Sequence, residues 1–280
     1  MNQQDITYQD KLNELRLDIS HPNNNGMAFV LLEGESDIRL FRKLFNPEKC
    51  KVENIPGGFQ KLEECVHVLL NIYPLIIGIR DADFIHLRNE PYSKTNMFLT
   101  DYHDMEMMLI SENEVFNALL FEYTSLSIDE HGEARNSILT TIEQISLLKW
   151  LNEKEHLGYK IEVGFQNLIS FSNHEIDFDQ YFSRVLSKSP NATLIDISIV
   201  IQKINALKDT NPNAFQLCNG HDFIKALSRY VRETGKRTPV SDDILSSSLR
   251  MAYTFEHYKM TKLFANTKLW ADTNNCLIYL

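Results

Sequence analysis

FVLLEGESD, residues 29–37, and LIIGIRDAD, residues 75–83, each run an apolar stretch into a knot of acids. Short apolar runs of this length read as strands buried on both faces, the kind that parallel sheets use. Working outward, Met27 to Leu32 is the first strand, and Ser36 to Phe45 is a helix with Ile38, Leu40, Phe41, Leu44 and Phe45 on its inner face. Lys51 to Ile55 is a second strand, stopped by Pro56-Gly57-Gly58, and Phe59 to Asn71 is a second helix. Leu75 to Ile79 is the third strand. Asn96 to Thr100 is a fourth, leading into the acidic stretch Asp101 to Glu106. Strand and helix in alternation make an α/β fold, a parallel sheet covered by helices on both faces. Ligands of such sheets gather beyond the carboxyl ends of the strands, where these acids fall.

The flanks are different in character. Tyr8 to Ile19 carries Leu12, Leu15 and Leu17 at helical spacing, and the turn-rich HPNNNG stretch follows it. After about residue 112, helical periodicity returns in Val115 to Phe121, Asn136 to Leu151, Phe178 to Leu186, Leu194 to Leu207, Phe223 to Val231, Ile244 to Met251 and His257 to Phe264. The expected organisation is an N-terminal helical arm over residues 1–25, an α/β core over 26–112 that carries the acidic strand ends, and a mainly helical region over 113–280.

Of 280 residues, 43% are hydrophobic and 24% charged, the balance of a soluble globular protein. No apolar run reaches the roughly 18 residues that span a bilayer. The polar, acidic start is unlike a signal or transit peptide, so the expected location is the cytoplasm. Cys50, Cys65, Cys218 and Cys276 are scattered without zinc spacing and read as reduced structural thiols. A net charge of −10 argues against a protein that coats nucleic acid. It leaves room for an enzyme with an acidic metal site and one local basic patch.

Magnesium takes hard oxygen ligands and few protein carboxylates, leaving positions for water and phosphate. Glu33 ends the first strand, and Asp37 lies one helical turn further on, so its side chain can point back toward Glu33. Asp81 and Asp83 follow the third strand. Their i, i+2 spacing puts both on one face if the extended geometry persists. The plain alternative is that strand-end acids only cap helices, which Asp and Glu favour anyway.

The two stretches together, hydrophobic-run-Glu-Gly-x-x-Asp and then hydrophobic-run-Asp-x-Asp, resemble the Toprim fold, a Rossmann-like parallel sheet. The wider run EGESDIRLFRKLF, PGGFQK, IRDADF and YHDMEMM resembles a Toprim nuclease family of bacterial defence loci. That family includes the nuclease subunit of the PARIS anti-phage system, and OLD-type nucleases are more distant. The likeness covers residues 27–110. It implies a nuclease using Mg2+ or Mn2+ to cut RNA, such as tRNA, or DNA, as the toxic effector of an antiviral defence system. It also implies control by an ABC-type ATPase partner. Glu33 would be a metal ligand or general acid/base, Asp81 and Asp83 the principal ligands, and Asp37 a second acid. A later acid, Glu106 or Asp104, and a basic residue would complete the site.

The segment NGHDFIK, residues 219–225, also resembles this family. His221 is placed to stabilise a leaving group, with Lys225 on the same helical face; the alternative is a packed histidine beside a helix cap. Lys225, Arg229, Arg232, Lys236 and Arg237 form the densest basic stretch, with Tyr230 interleaved. They suit a nucleic-acid backbone or a solvated helix face. Arg39, Arg42 and Lys43 form a smaller cluster. Pro56-Gly57-Gly58 lacks the Walker A pattern, so any ATP hydrolysis falls to a partner. The competing reading is a regulatory or binding subunit with a vestigial Toprim site. A primase or topoisomerase is a third, set back by the missing zinc-ribbon cysteines. A homodimer suits a nuclease acting on a structured target.

Overall fold

The computed structural model describes residues 7–88, 91–234 and 240–279, without the side chain of Glu35. Two compact units divide the chain. The first comprises Met1–Ala82, Glu90–Met105 and Tyr253–Leu280, and the second comprises Asp83–Asn89 and Glu106–Ala252.

In the first unit, α1 (Tyr8–Ser20), β1 (Ala28–Leu32), α2 (Glu35–Leu44), β2 (Cys50–Asn54), α3 (Phe59–Leu70), β3 (Ile76–Arg80) and β4 (Met97–Leu99) follow in order. Every residue of β1 and β3 is buried, Arg80 at the end of β3 included, as their largely apolar runs require. The four strands pair in parallel in the order β2-β1-β3-β4, a Rossmann-like sheet. The chain steps from β1 to β2 in one direction and from β2 back past β1 to β3. Right-handed crossovers therefore put α2 and α3 on opposite faces. On the α3 face, Phe29, Leu31 and Ile76 pack with Leu12 and Leu15 of α1 and with Leu62, Val66 and Leu69 of α3. Gly78 of β3 allows that packing: a Cβ there would run into the Met97 sulfur and come within 2.9 Å of Val66 Cγ2.

Strand β2 is an edge, and its Val52 carbonyl accepts from Arg42 Nη2 at 3.3 Å. Arg42 thus shields strand backbone, one way folded proteins blunt an exposed edge. Lys51 pairs with Asp18, and Lys11 with Glu53, tying α1 to the same strand.

The second unit contains most of α4 (Met105–Ser111), followed by α5 (Asn113–Tyr123), α6 (Ile128–Glu155), a hairpin of β5 (Ile169–Ser170) and β6 (Glu175–Ile176), α7 (Phe178–Lys188), α8 (Ile197–Lys208), α9 (Ala214–Leu217), α10 (Gly220–Thr234) and α11 (Asp242–Ala252). It is mainly helical, as its periodicity predicts. Helix α6 is far longer than the apolar stripe Asn136 to Leu151, because a capping box between Ser127 and Glu130 starts it eight residues earlier.

The first unit reclaims the end of the chain, which the sequence assigns to the helical region. One expected helix over His257 to Phe264 is two, α12 (Phe255–Lys259) and α13 (Lys262–Thr273). The break comes where Thr261 caps α13 through the Phe264 amide, while Asp101 takes the amides of Lys262 and Leu263 at 2.7 and 2.8 Å. Tyr258, Phe264 and Tyr279 form an aromatic cluster with Phe41 and Phe45 of α2, which draws this segment onto the sheet unit. The cysteines are free thiols, three of them buried. No described helix is long and apolar enough to cross a membrane.

Candidate functional site

The order β2-β1-β3-β4 reverses direction between β1 and β3, and open α/β sheets leave a crevice at the carboxyl ends of two such strands. Glu33 directly follows β1. The register pairs Leu32 with Ile79, so Glu33 stands level with Arg80, and Asp81 lies one residue beyond. Adjacent strands are about 4.8 Å apart. Two of the expected carboxylates therefore leave neighbouring strands at nearly one height.

Asp37 sits in the first turn of α2 and is only 8% exposed. Its carboxylate folds back over Gly34: a Cβ on Gly34 would lie 2.7 Å from Asp37 Oδ2. The missing side chain of Gly34 makes room for it. Ser36 Oγ donates to Asp37 Oδ1 at 3.2 Å.

Asp81 Oδ1 accepts from the Met105 amide at 3.2 Å, so this carboxylate also caps α4. The next peptide is pinned as well. The Ala82 amide donates to Thr100 Oγ1 at 2.9 Å, and that hydroxyl donates to the Tyr102 carbonyl. Extended geometry does not reach Asp83. Strand β3 ends at Arg80, and Asp83 is left-handed with φ +47°, so the shared face expected from i, i+2 spacing is lost in a turn. Asp tolerates that region better than most residues.

Asp104, one candidate for the later acid, is buried with Oδ2 3.2 Å from His103 Nδ1. Glu106, the other, belongs to the second unit, where its Oε1 lies 3.9 Å from Nδ1 of His221. Two residues singled out separately from the sequence are thereby brought together. Lys149 of α6 was not singled out. Its Nζ lies 2.5 Å from Asp222 Oδ2 and anchors the first turn of α10, from which His221 projects.

The basic stripe on α10 is only partly available. His221, Lys225 and Arg232 are exposed. Arg229 is taken up by Glu233 at 2.5 Å and by the Gln166 carbonyl at 2.7 Å, so it staples a loop. Lys236 and Arg237 lie outside the described residues. Two cavities of about 670 and 500 Å3 open in the second unit, with His174 in the wall of both, and neither His221 nor Lys225 lines them.

Arg80 was also missed from the sequence. It is 5% exposed, with Nη1 3.2 Å from Glu63 Oε1 and its guanidinium 3.9 Å from the centre of the Phe59 ring. Its Nε donates to the Asp81 carbonyl at 3.0 Å. Glu63 also accepts from the Tyr92 hydroxyl at 2.8 Å, and Lys94 lies 3.7 Å from it. Burial, then Glu63, pushes the Tyr92 phenol above its ordinary pKa. A signal existed: an arginine ending an otherwise apolar run must find a partner if that strand is buried.

As donors, Glu33, Asp37 and Asp81 are hard oxygens of the type magnesium prefers. Their positions are less favourable. Among the described residues, no three His, Cys, Asp or Glu side chains stand close enough to hold a metal ion. Known family models do not match the chain, and a comparison with curated proteins finds no relative.

Proposed function

We propose that this chain is a divalent-metal-dependent nuclease of the Toprim type, with its metal-holding carboxylates drawn from Glu33, Asp37, Asp81 and Asp83. One observation carries the reading: Glu33 and Asp81 leave the two strands that flank the sheet's switch point, level to within one residue. The resemblance of residues 27–110 adds the Toprim assignment. Mg2+ or Mn2+ bound there would supply Lewis acidity toward the phosphate and a water of lowered pKa. Glu33 and Asp81 would ligate from neighbouring strands, and Asp37 would close over Gly34 from the helix. Asp83 follows Asp81 by two residues and belongs to the reading as a further candidate ligand. In the second unit Glu106 lies 3.9 Å from His221, and the resemblance alone makes that pair and Lys225 candidates for acid/base and cationic roles.

The substrate is nucleic acid, tRNA or DNA. The chain would serve as a toxic effector of phage defence, restrained by an ABC-type ATPase. The test is purified protein incubated with tRNA, single-stranded DNA and duplex DNA, with and without Mg2+ or Mn2+. Metal-dependent cutting that is lost in Glu33→Gln and Asp81→Asn is the expected result. Cutting that persists in both variants sinks the assignment. His221→Ala and Lys225→Ala test the second unit's share by the same assay.

That no three such side chains among the described residues are grouped to hold a metal ion favours a second reading, a regulatory subunit with a vestigial Toprim site. It requires that neither Mg2+ nor Mn2+ bind at millimolar concentration and that Glu33→Gln leave anti-phage protection whole.

A further inference from the structure

In the second unit, Glu130, Glu133, Ser137 and Thr140 recur on α6 at three- and four-residue spacing, one stripe of that helix. The stripe, the β5–β6 hairpin and α10 wall the larger cavity of about 670 Å3. Small-molecule sites occupy roughly 300–1,000 Å3. The hairpin turn is fastened to α6: His174 is left-handed with φ +56°, and its Nδ1 lies 2.9 Å from Ser137 Oγ. Phe171, just after β5, meets Tyr230 of α10 at right angles with ring centres 5.0 Å apart. Both rings belong to the cavity wall, and Glu130, Glu133 and Glu233 line it with them.

These acids are not equally engaged. Glu130 Oε2 accepts from the amide and hydroxyl of Ser127, and Glu233 accepts from Arg229 Nε. Glu133 is exposed and has no hydrogen bond or ion pair among the described residues. The neighbouring cavity of about 500 Å3 makes the contrast, since Lys208 meets its Glu143 at 2.6 Å. Among the described residues, no lysine or arginine lines the larger cavity. The carboxylates of α6 bear on the ring of α10. Burial, then the charges of Glu130 and Glu133, push the Tyr230 phenol above its ordinary pKa.

We propose that the cavity between α6, α10 and the β5–β6 hairpin binds a small organic cation, an alkylammonium or guanidinium group, through Glu133 and the Tyr230 ring. An aromatic ring attracts a cation by its quadrupole and packs against the methylenes beside the charge, while a carboxylate nearby supplies the opposite charge. A phosphate group meets repulsion from the same acids. The occupant is therefore distinct from the nucleic-acid substrate proposed above, and the site does not depend on the strand-end carboxylates. A free polyamine and the basic side chain of a peptide both carry such a head group.

The experiment is isothermal titration of the full chain at physiological ionic strength with three probes: spermidine, the blocked tripeptide Gly-Arg-Gly, and its uncharged citrulline analogue. Wild type is compared with Glu133→Gln, Tyr230→Leu, Tyr230→Phe and Glu48→Gln, each fold verified by circular dichroism and a thermal melt. Glu48 is an exposed acid of the first unit and reports the pull of net charge alone. The expected result is saturable one-site binding of a cationic probe and none of the citrulline peptide. Affinity should fall roughly two- to fivefold in Glu133→Gln and in Tyr230→Leu, while Tyr230→Phe and Glu48→Gln match wild type. Glu133 is exposed, so its variant carries the test if Tyr230→Leu fails to fold. Binding of spermidine alone names a polyamine as the source, and binding of the arginine peptide alone names a basic protein segment. The proposal is overturned if neither cationic probe saturates, if the citrulline peptide binds as well as the arginine one, or if Glu48→Gln weakens binding as much as Glu133→Gln.

Discussion

At the scale of single residues, two glycines do more than their neighbours in the sequence suggest. Gly34 has an ordinary backbone, φ −99°, so its small size is what matters. A methyl group there would press on the carboxylate of Asp37 from 2.7 Å. That carboxylate is the end of a movable side chain, so Gly34→Ala should fold with stability near wild type while metal affinity falls roughly tenfold. A variant that binds Mn2+ as wild type does removes Asp37 from the site. Gly78 presents the opposite case. It is enclosed by Met97 and Val66 inside the sheet unit, where neither can retreat easily. Gly78→Ala should cost about 1–3 kcal/mol by overpacking, read as a lower urea midpoint. Stability equal to wild type would mean that β4 is free to move away.

Elements show how one acidic stretch serves several ends. The run Asp101 to Glu106 reads as a source of metal ligands, yet most of its acids have structural partners. Asp101 accepts two amides at the start of α13, and Asp104 meets His103. Helix α13 brings Phe264 into the aromatic cluster that covers α2. Asp101→Ala should therefore destabilise the chain by about 1 kcal/mol, the usual worth of an N-terminal cap. The loss should appear in urea unfolding with metal affinity unchanged. A loss of metal binding without loss of stability would move Asp101 into the site instead. Helix α10 teaches a related lesson. Its spacing puts Lys225, Arg229 and Arg232 on one stripe, but Arg229 is bound to a loop carbonyl, which periodicity cannot report.

On the scale of the whole molecule, burial of acidic protons makes alkaline stability the clearest pH signature. Burial pushes the thiols of Cys50 and Cys65 from an ordinary value of 9.0 up to about 12. The phenols of Tyr8, Tyr159 and Tyr279 rise from 10.0 to about 12, chiefly for the same reason. The folded chain then keeps protons that the unfolded chain releases, so stability is fully present below about pH 9 and lost as pH climbs toward about 12. Urea midpoints measured at about pH 8, 10 and 11 should fall in that order. A midpoint that stays level across the series would show these groups to be as accessible folded as unfolded.

Local pattern by itself determined the strands, their alternation with helices and the placing of Glu33 and Asp81 at strand ends. The reason is that periodicity and unbroken apolar runs report burial directly, and burial on both faces leaves parallel sheets as the economical solution. Tertiary structure decided the rest. It paired Arg80 with Glu63, brought His221 to Glu106 within the second unit, and folded residues 253–280 into the first. Asp83 turned into a left-handed conformation after β3 stopped at Arg80. Each of these depends on groups far apart in the chain or on where a strand stops. A pattern read over neighbouring residues tells which side chains are buried, but the partner that makes a buried charge tolerable comes from elsewhere in the fold.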